Sequence, residues 1–183
     1  MARISLDPPR TLTYRIGAWY SRRKYGTLLE PGIAVGHNPR VMRTYAKEEM
    51  SLARWNRLPA DLQHLAVLAA ATHVGCSWCM DFGYWVTTTE GLDPAKVRDV
   101  PRWRDSAVYT ELERRVMAFA EAASATPPEV TDEMVDGLRA DLDDAQLVEL
   151  AMMVAVENQR SRFNIALGLT SQGFKDRCEP AYD

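Results

Sequence analysis

Apolar residues in this chain recur at three- and four-residue spacing, and alternation at every second position with β-branched side chains is nearly absent. Such spacing builds one-sided helices rather than half-buried strands, so the pattern predicts an all-α fold. Caps and breakers divide it. Pro8-Pro9, Gly26 and Pro31-Gly32 leave residues 1–35 irregular except for a short helix at 12–24. Asn38 caps a helix that Pro39 opens and that runs to about Trp55. Pro59-Ala60-Asp61 opens the next, with the apolar body Leu62, Leu65, Ala66, Val67, Leu68, Ala69 and Ala70 and a stop at Gly75. A further helix starts at or just after Cys76, carries Phe82, Tyr84, Trp85 and Val86, and ends between Thr87 and Gly91. Asp93-Pro94 caps a short helix to about Val100. Asp105 or Ser106 begins a long helix with Leu112, Val116, Phe119 and Ala120 on one face, broken by Pro127-Pro128. Thr131 caps a helix to Arg139, and Asp143 with Gln146 makes a capping box for a final helix from Leu147 to about Leu167. That last helix is apolar at Leu147, Leu150, Ala151, Val154 and Ala155.

A chain of 183 residues without fixed-period repeats or a long linker suits a single domain, here 1–183 with the irregular extension at its start. No apolar run reaches the roughly 18 residues of a membrane span. The first residues lack the apolar core of a secretory signal, so a cytoplasmic location is expected. The net charge of −3 conceals an asymmetry: residues 1–57 carry 11 Lys/Arg and 4 Asp/Glu, whereas the remainder carries 11 and 21. The short run Arg22-Arg23-Lys24 has no recognition motif beside it. Nucleic-acid binding is therefore not expected, and the basic segment is expected to pack on acidic surface, in the same chain or a neighbouring subunit.

Two of the three cysteines, Cys76 and Cys79, stand three apart at the start of a helix, and the third is Cys178. A thiolate at a helix N-terminus is favoured by the helix dipole, and a second cysteine one turn away can resolve a sulfenic acid to a disulfide. A redox pair is one reading. Small buried hydrophobes are another. His73 with Cys76 and Cys79 would supply three metal ligands, one short of a closed zinc site, so no metal is expected. Redox chemistry also needs a proton donor and acceptor. His64 and His73 are the nearest histidines and Asp81 the nearest carboxylate, while spacing alone does not place Glu113 or Glu157. Trp78, Phe82, Tyr84 and Trp85 read as core or subunit interface. Asn158, Arg160, Arg162 and Asn164 form a polar cluster late in the last helix, either an exposed end or a site lining.

The stretch Leu62-Gln63-His64-Leu65-Ala66-Val67-Leu68-Ala69-Ala70-Ala71, followed by Gly75-Cys76-Ser77-Trp78-Cys79, resembles the core motif of the carboxymuconolactone decarboxylase and alkyl hydroperoxidase D (AhpD-like) superfamily. The likeness extends upstream to His37-Asn38-Pro39. It continues through Gly91-Leu92-Asp93, Val116–Glu121 and Asn158–Gly168, covering about residues 35–172. It implies a helical bundle whose central hairpin carries the C-x-x-C, assembled as a homo-oligomer. In the peroxidase branch the second cysteine, here Cys79, attacks a hydroperoxide and the first, here Cys76, resolves it. An external dithiol such as a lipoylated protein then reduces the disulfide, with no bound cofactor. The expectation is a peroxidase of peroxiredoxin type acting on a hydroperoxide or disulfide. The alternatives are a non-redox decarboxylase-like enzyme for a small acidic metabolite, held by Arg160, Arg162 and the basic N-terminal segment, and a non-catalytic redox sensor. The chain departs from the peroxidase pattern at three positions: His64 replaces a glutamate, Gly83 a histidine, and Trp78 a histidine between the cysteines. His64 or His73 is the expected proton-transfer group, and Trp78, Gly83, Arg160 and Asn164 are the expected substrate contacts.

Overall fold

The computed structural model describes residues 2–178, and among these the regular structure is helical, without strands. The chain forms two compact units, Met1–Trp55 with Ala166–Leu169, and Asn56–Ile165 with Thr170–Asp183. No helix among the described residues is long and apolar enough to cross a membrane.

The first unit holds α1 (Leu12–Tyr25), α2 (Glu30–Val35) and α3 (Pro39–Leu52). Thr11 caps α1 by accepting from Tyr14 N, and Arg22, Arg23 and Lys24 occupy its last turn, where cations oppose the exposed carbonyl dipoles. The helix α2 corrects the expectation of an irregular segment. Pro31 lies in its first turn, where a missing N–H costs nothing, so the proline starts the helix rather than breaking it. Asn38 caps α3 as expected, accepting from Arg40 N and Val41 N. The helix ends short of Trp55 because Arg54 N and Trp55 N turn to Ser51 O and Leu52 O in three-residue turns.

The second unit holds α4 (Ala60–Val74), α5 (Ser77–Thr89), α6 (Pro94–Asp99), α7 (Glu111–Ser124), α8 (Asp132–Arg139) and most of α9 (Asp144–Ala166). Its core runs along α4, where Leu65, Ala66, Ala69 and Ala70 are fully buried against Val116, Met117 and Ala120 of α7 and Leu150 and Val154 of α9. The small side chains let α7 lie close on α4. Gly75 ends α4 with φ +81°, a left-handed conformation that glycine adopts without strain, and α5 folds back along α4. At Gly83 a Cβ would stand 2.9 Å from Leu68 Cδ2, so glycine permits close contact between the two arms of this hairpin.

The start of α7 also corrects the sequence reading. Residues Val100–Asp105 form a 3₁₀ turn, and the helix begins after a capping box of Thr110 and Glu113. Ser106 does not cap the helix: its hydroxyl donates to Asp99 Oδ2 at 2.6 Å and accepts from Val108 N, and its carbonyl accepts from Arg114, all within the turn that precedes Thr110. The Asp143–Gln146 box forms as expected, and it opens α9 at Asp144 rather than at Leu147. Along α9, Leu150 and Val154 are buried, but Ala151 and Ala155 face outward.

Candidate functional site

The site begins at the turn between α4 and α5. The Gly75 and Cys76 N–H groups close the end of α4 on Ala71 O, and the chain then places Cys76 as the N-cap of α5. Cys76 Sγ accepts from Cys79 N at 3.2 Å, a sulfur in the role a serine or aspartate oxygen usually fills. Cys76 and Cys79 are joined as a disulfide with Cα atoms 5.3 Å apart. Both sulfurs therefore sit at the positive end of a 13-residue helix, where a thiolate is stabilised. Cys76 is fully buried and Cys79 is 7% exposed.

Facing the sulfurs is one side of α9. Asn164 Nδ2 donates to Cys79 Sγ at 3.4 Å and lies 3.9 Å from Cys76 Sγ. Ser161 Oγ stands 3.4 Å from Cys79 Sγ and 2.8 Å from Glu157 Oε1. Glu157 Oε2 lies 3.6 Å from Arg160 Nη1. Glu157, Ser161 and Asn164 are all buried, and the Asn164 carbonyl oxygen has no hydrogen-bond partner among the described residues.

The other candidates have different surroundings. His64 Nε2 pairs with Glu90 Oε2 at 2.9 Å, at the far end of α5 and about 20 Å along it from the sulfurs at 1.5 Å per residue. His73 is exposed in the last turn of α4. Among the described residues no three His, Cys, Asp or Glu side chains gather to hold a metal ion. Trp78 donates from Nε1 to Gln172 Oε1 at 2.8 Å and stacks on Phe82, which in turn meets Phe174. Leu68 occupies the space beside Gly83. Arg162 donates to Ser124 O and Thr126 Oγ1. Asp81 is engaged structurally, accepting backbone N–H groups from Gln172, Phe174 and Lys175. Burial raises its carboxyl pKa, but those three donors and the Ser171 hydroxyl outweigh burial and hold it below the ordinary aspartate range.

The structure thus gathers Cys76, Cys79 and Asn164, with Arg160 reaching the cluster through Glu157. Ser161 and Glu157 complete the cluster, and neither was assigned a role from sequence. The signal that could have found them is register. Positions 150, 154, 157, 161 and 164 form one stripe of α9 at alternating spacings of four and three, apolar at its start and polar where it meets the sulfurs.

Comparison with known proteins is consistent with this architecture. The model of the carboxymuconolactone decarboxylase family matches residues 39–122. The uncharacterized protein YnjA of Escherichia coli (strain K12) is 32% identical over 164 residues, covering 88% of this chain and 90% of that protein. Among solved structures, an uncharacterized peroxidase-related protein of Ralstonia eutropha JMP134, described as an alkylhydroperoxidase AhpD core, superposes with a TM-score of 0.81 at 16% identity. That match covers 95% of this chain and 94% of that one. The debrominase Bmp8 in complex with 2,3,4-tribromopyrrole superposes with a TM-score of 0.83 at 19% identity, covering 97% of each chain. At these identities the two superpositions establish the AhpD-like fold.

Proposed function

This chain belongs to the carboxymuconolactone decarboxylase family, and from that premise we propose that it is a thiol-dependent oxidoreductase whose Cys76–Cys79 pair cycles between dithiol and disulfide. The observation that carries the reading is the placement of both sulfurs at the N-terminus of α5, within bonding distance of each other, with Asn164 and Ser161 directed at Cys79. Donors to a sulfur favour its thiolate, which is the nucleophilic form. They meet Cys79 rather than Cys76 most closely, and Cys79 is the more exposed, which supports Cys79 as the attacking thiol and Cys76 as the resolving one.

The substrate we assign is a hydroperoxide or a disulfide, and the reductant an external dithiol of lipoyl type. The alternative of a non-redox enzyme gripping a carboxylate with Arg160 and Arg162 has less support. Arg160 lies against the Glu157 carboxylate and Arg162 donates to the Ser124 and Thr126 oxygens. The test is consumption of cumene hydroperoxide with dihydrolipoamide as reductant. The reading expects turnover by the native chain and none by Cys79→Ser. Equal consumption by both rejects it.

A further inference from the structure

Cys79 must lose a proton to become a nucleophile, yet the usual acceptors are otherwise placed. His64 is paired with Glu90, His73 is exposed on α4, and Asp81 is saturated by backbone N–H groups. On α7, Glu113 accepts from Lys96 and Thr110 N, and Glu121 meets Trp103 and Arg104. Among the described residues, the Glu157 carboxylate reaches the sulfur through Ser161. Glu157 Oε1 is 2.8 Å from Ser161 Oγ, and that oxygen is 3.4 Å from Cys79 Sγ. The Arg160 guanidinium, 3.6 Å away, approaches the other oxygen, Oε2. A serine hydroxyl has one proton to give and two lone pairs, so Ser161 can accept from the thiol while donating to the carboxylate. Glu157 is 3% exposed, Ser161 0% and Cys79 7%, so the three groups lie out of bulk solvent. In such a place a carboxylate and a thiolate a few ångströms apart do not both stay charged.

We propose that Cys79 and Glu157 share one proton through the Ser161 hydroxyl, with Ser161 as the catalytic relay and Glu157 as the proton-holding residue behind it. This rests on the thiol-oxidoreductase reading above. In the forward step the thiol proton passes to Ser161 Oγ as the Ser161 proton passes to Glu157 Oε1. The Cys79 sulfur bonds the terminal oxygen of the hydroperoxide, the O–O bond breaks, and the alkoxide leaves and takes a proton from solvent. Cys79 is then a sulfenic acid. When the Cys76 sulfur attacks it and sheds its own proton to solvent, the S–S bond forms and hydroxide leaves. The proton held on Glu157 returns through Ser161 to make that hydroxide water. Two thiols are oxidised to a disulfide, and the hydroperoxide is reduced to alcohol and water.

The test is the rate at which iodoacetamide alkylates Cys79 in the fully reduced full-length chain, followed by peptide mass spectrometry across pH. A shared proton fixes the fraction of thiolate over the interval between the two coupled ionisations. The native rate is therefore expected to be flat between about pH 6 and 8. In Glu157→Gln and Ser161→Ala it is expected to rise about tenfold per pH unit, and peroxide turnover near neutrality to fall about 100-fold. Ser161→Thr, which keeps the hydroxyl, is expected to keep the flat profile, and it separates loss of the relay from loss of the fold. A native rate that rises tenfold per unit, or a flat profile that survives in Glu157→Gln, overturns the proposal. Alkylation needs no peroxide. A flat native profile without turnover would retain the shared proton and reject the peroxidase reading, and turnover with identical profiles in all variants would do the reverse.

Discussion

Asn164 donates its amide to Cys79 Sγ at 3.4 Å while the carbonyl oxygen of the same side chain is buried and unpartnered among the described residues. A buried acceptor left in this state costs about 1–3 kcal/mol. The O–H of a hydroperoxide approaching Cys79 is a donor of the type that oxygen lacks. One amide would then hold the nucleophile and the substrate together. Asn164→Leu is accordingly expected to leave the melting temperature unchanged or raised, and to lower kcat/KM for a hydroperoxide about tenfold, the size of one lost hydrogen bond near 1.4 kcal/mol. Calorimetry and steady-state kinetics on the same preparation check both halves.

The histidines nearest the cysteines in sequence are expected to be dispensable for the chemistry. His73→Ala should leave the Cys79 alkylation profile unchanged, since His73 is exposed. His64→Ala removes a contact whose partner Glu90 is 59% exposed, so its cost in stability is expected to be about 1 kcal/mol or less. Denaturant melts and the alkylation profile measure the two effects separately.

Asp81 ties the segment after α9 to α5 through three backbone N–H groups, and Phe174 from that segment is fully buried beside Phe82 and Trp85. Asp81→Ala is expected to destabilise the chain by about 2–3 kcal/mol through the donors it leaves unsatisfied. The pH dependence follows from its lowered pKa. The ionised form is favoured by folding, so its contribution is present above the unfolded value near 3.9 and is lost as pH falls below it through the folded value. Native and Asp81→Ala melts are therefore expected to begin converging as the pH falls below about 4 and to go on converging through the lowered folded value.

Gly83→His, which reinstates a histidine four residues after Cys79, is expected to impair the protein rather than improve it. A Cβ at that position meets Leu68 Cδ2 at 2.9 Å, so the buried Leu68 side chain must repack or the α4–α5 hairpin open, at a cost of about 1–3 kcal/mol. A variant with a raised melting temperature and higher turnover would contradict this.

Much of the fold is legible in the sequence because its helix ends are written in short-range chemistry. Asn38, Thr131 and the Asp143–Gln146 box cap the helices they were expected to cap, and Gly75 ends α4. The misses arise where distant partners override local signals. Ser106 looks like a cap, but Asp99, Val108 and Arg114 hold its hydroxyl and carbonyl in the turn that precedes the Thr110 cap. The site was half legible. The C-x-x-C and Asn164 declare themselves by residue type, and the polar cluster at the end of α9 was noticed as a group. Register divides that cluster, placing Asn164 on the buried stripe and Arg162 outside it. Ser161 gives no signal because a serine on a helix is ordinary, and Glu157 stands out as a carboxylate that spacing alone does not place. Their meaning lies in an alignment of α9 against the α4–α5 turn that spans more than 80 residues of sequence.

The central claim is that Cys76 and Cys79 form one redox unit driven by substrate. It is tested most directly by treating the reduced chain with one equivalent of cumene hydroperoxide and mapping its cysteines by mass spectrometry. The account expects a Cys76–Cys79 disulfide with Cys178 still reduced, and a sulfenic acid on Cys79 when Cys76 is replaced by serine. Oxidation that settles on Cys178, or a Cys79 that remains a thiol in the Cys76→Ser chain, would contradict it.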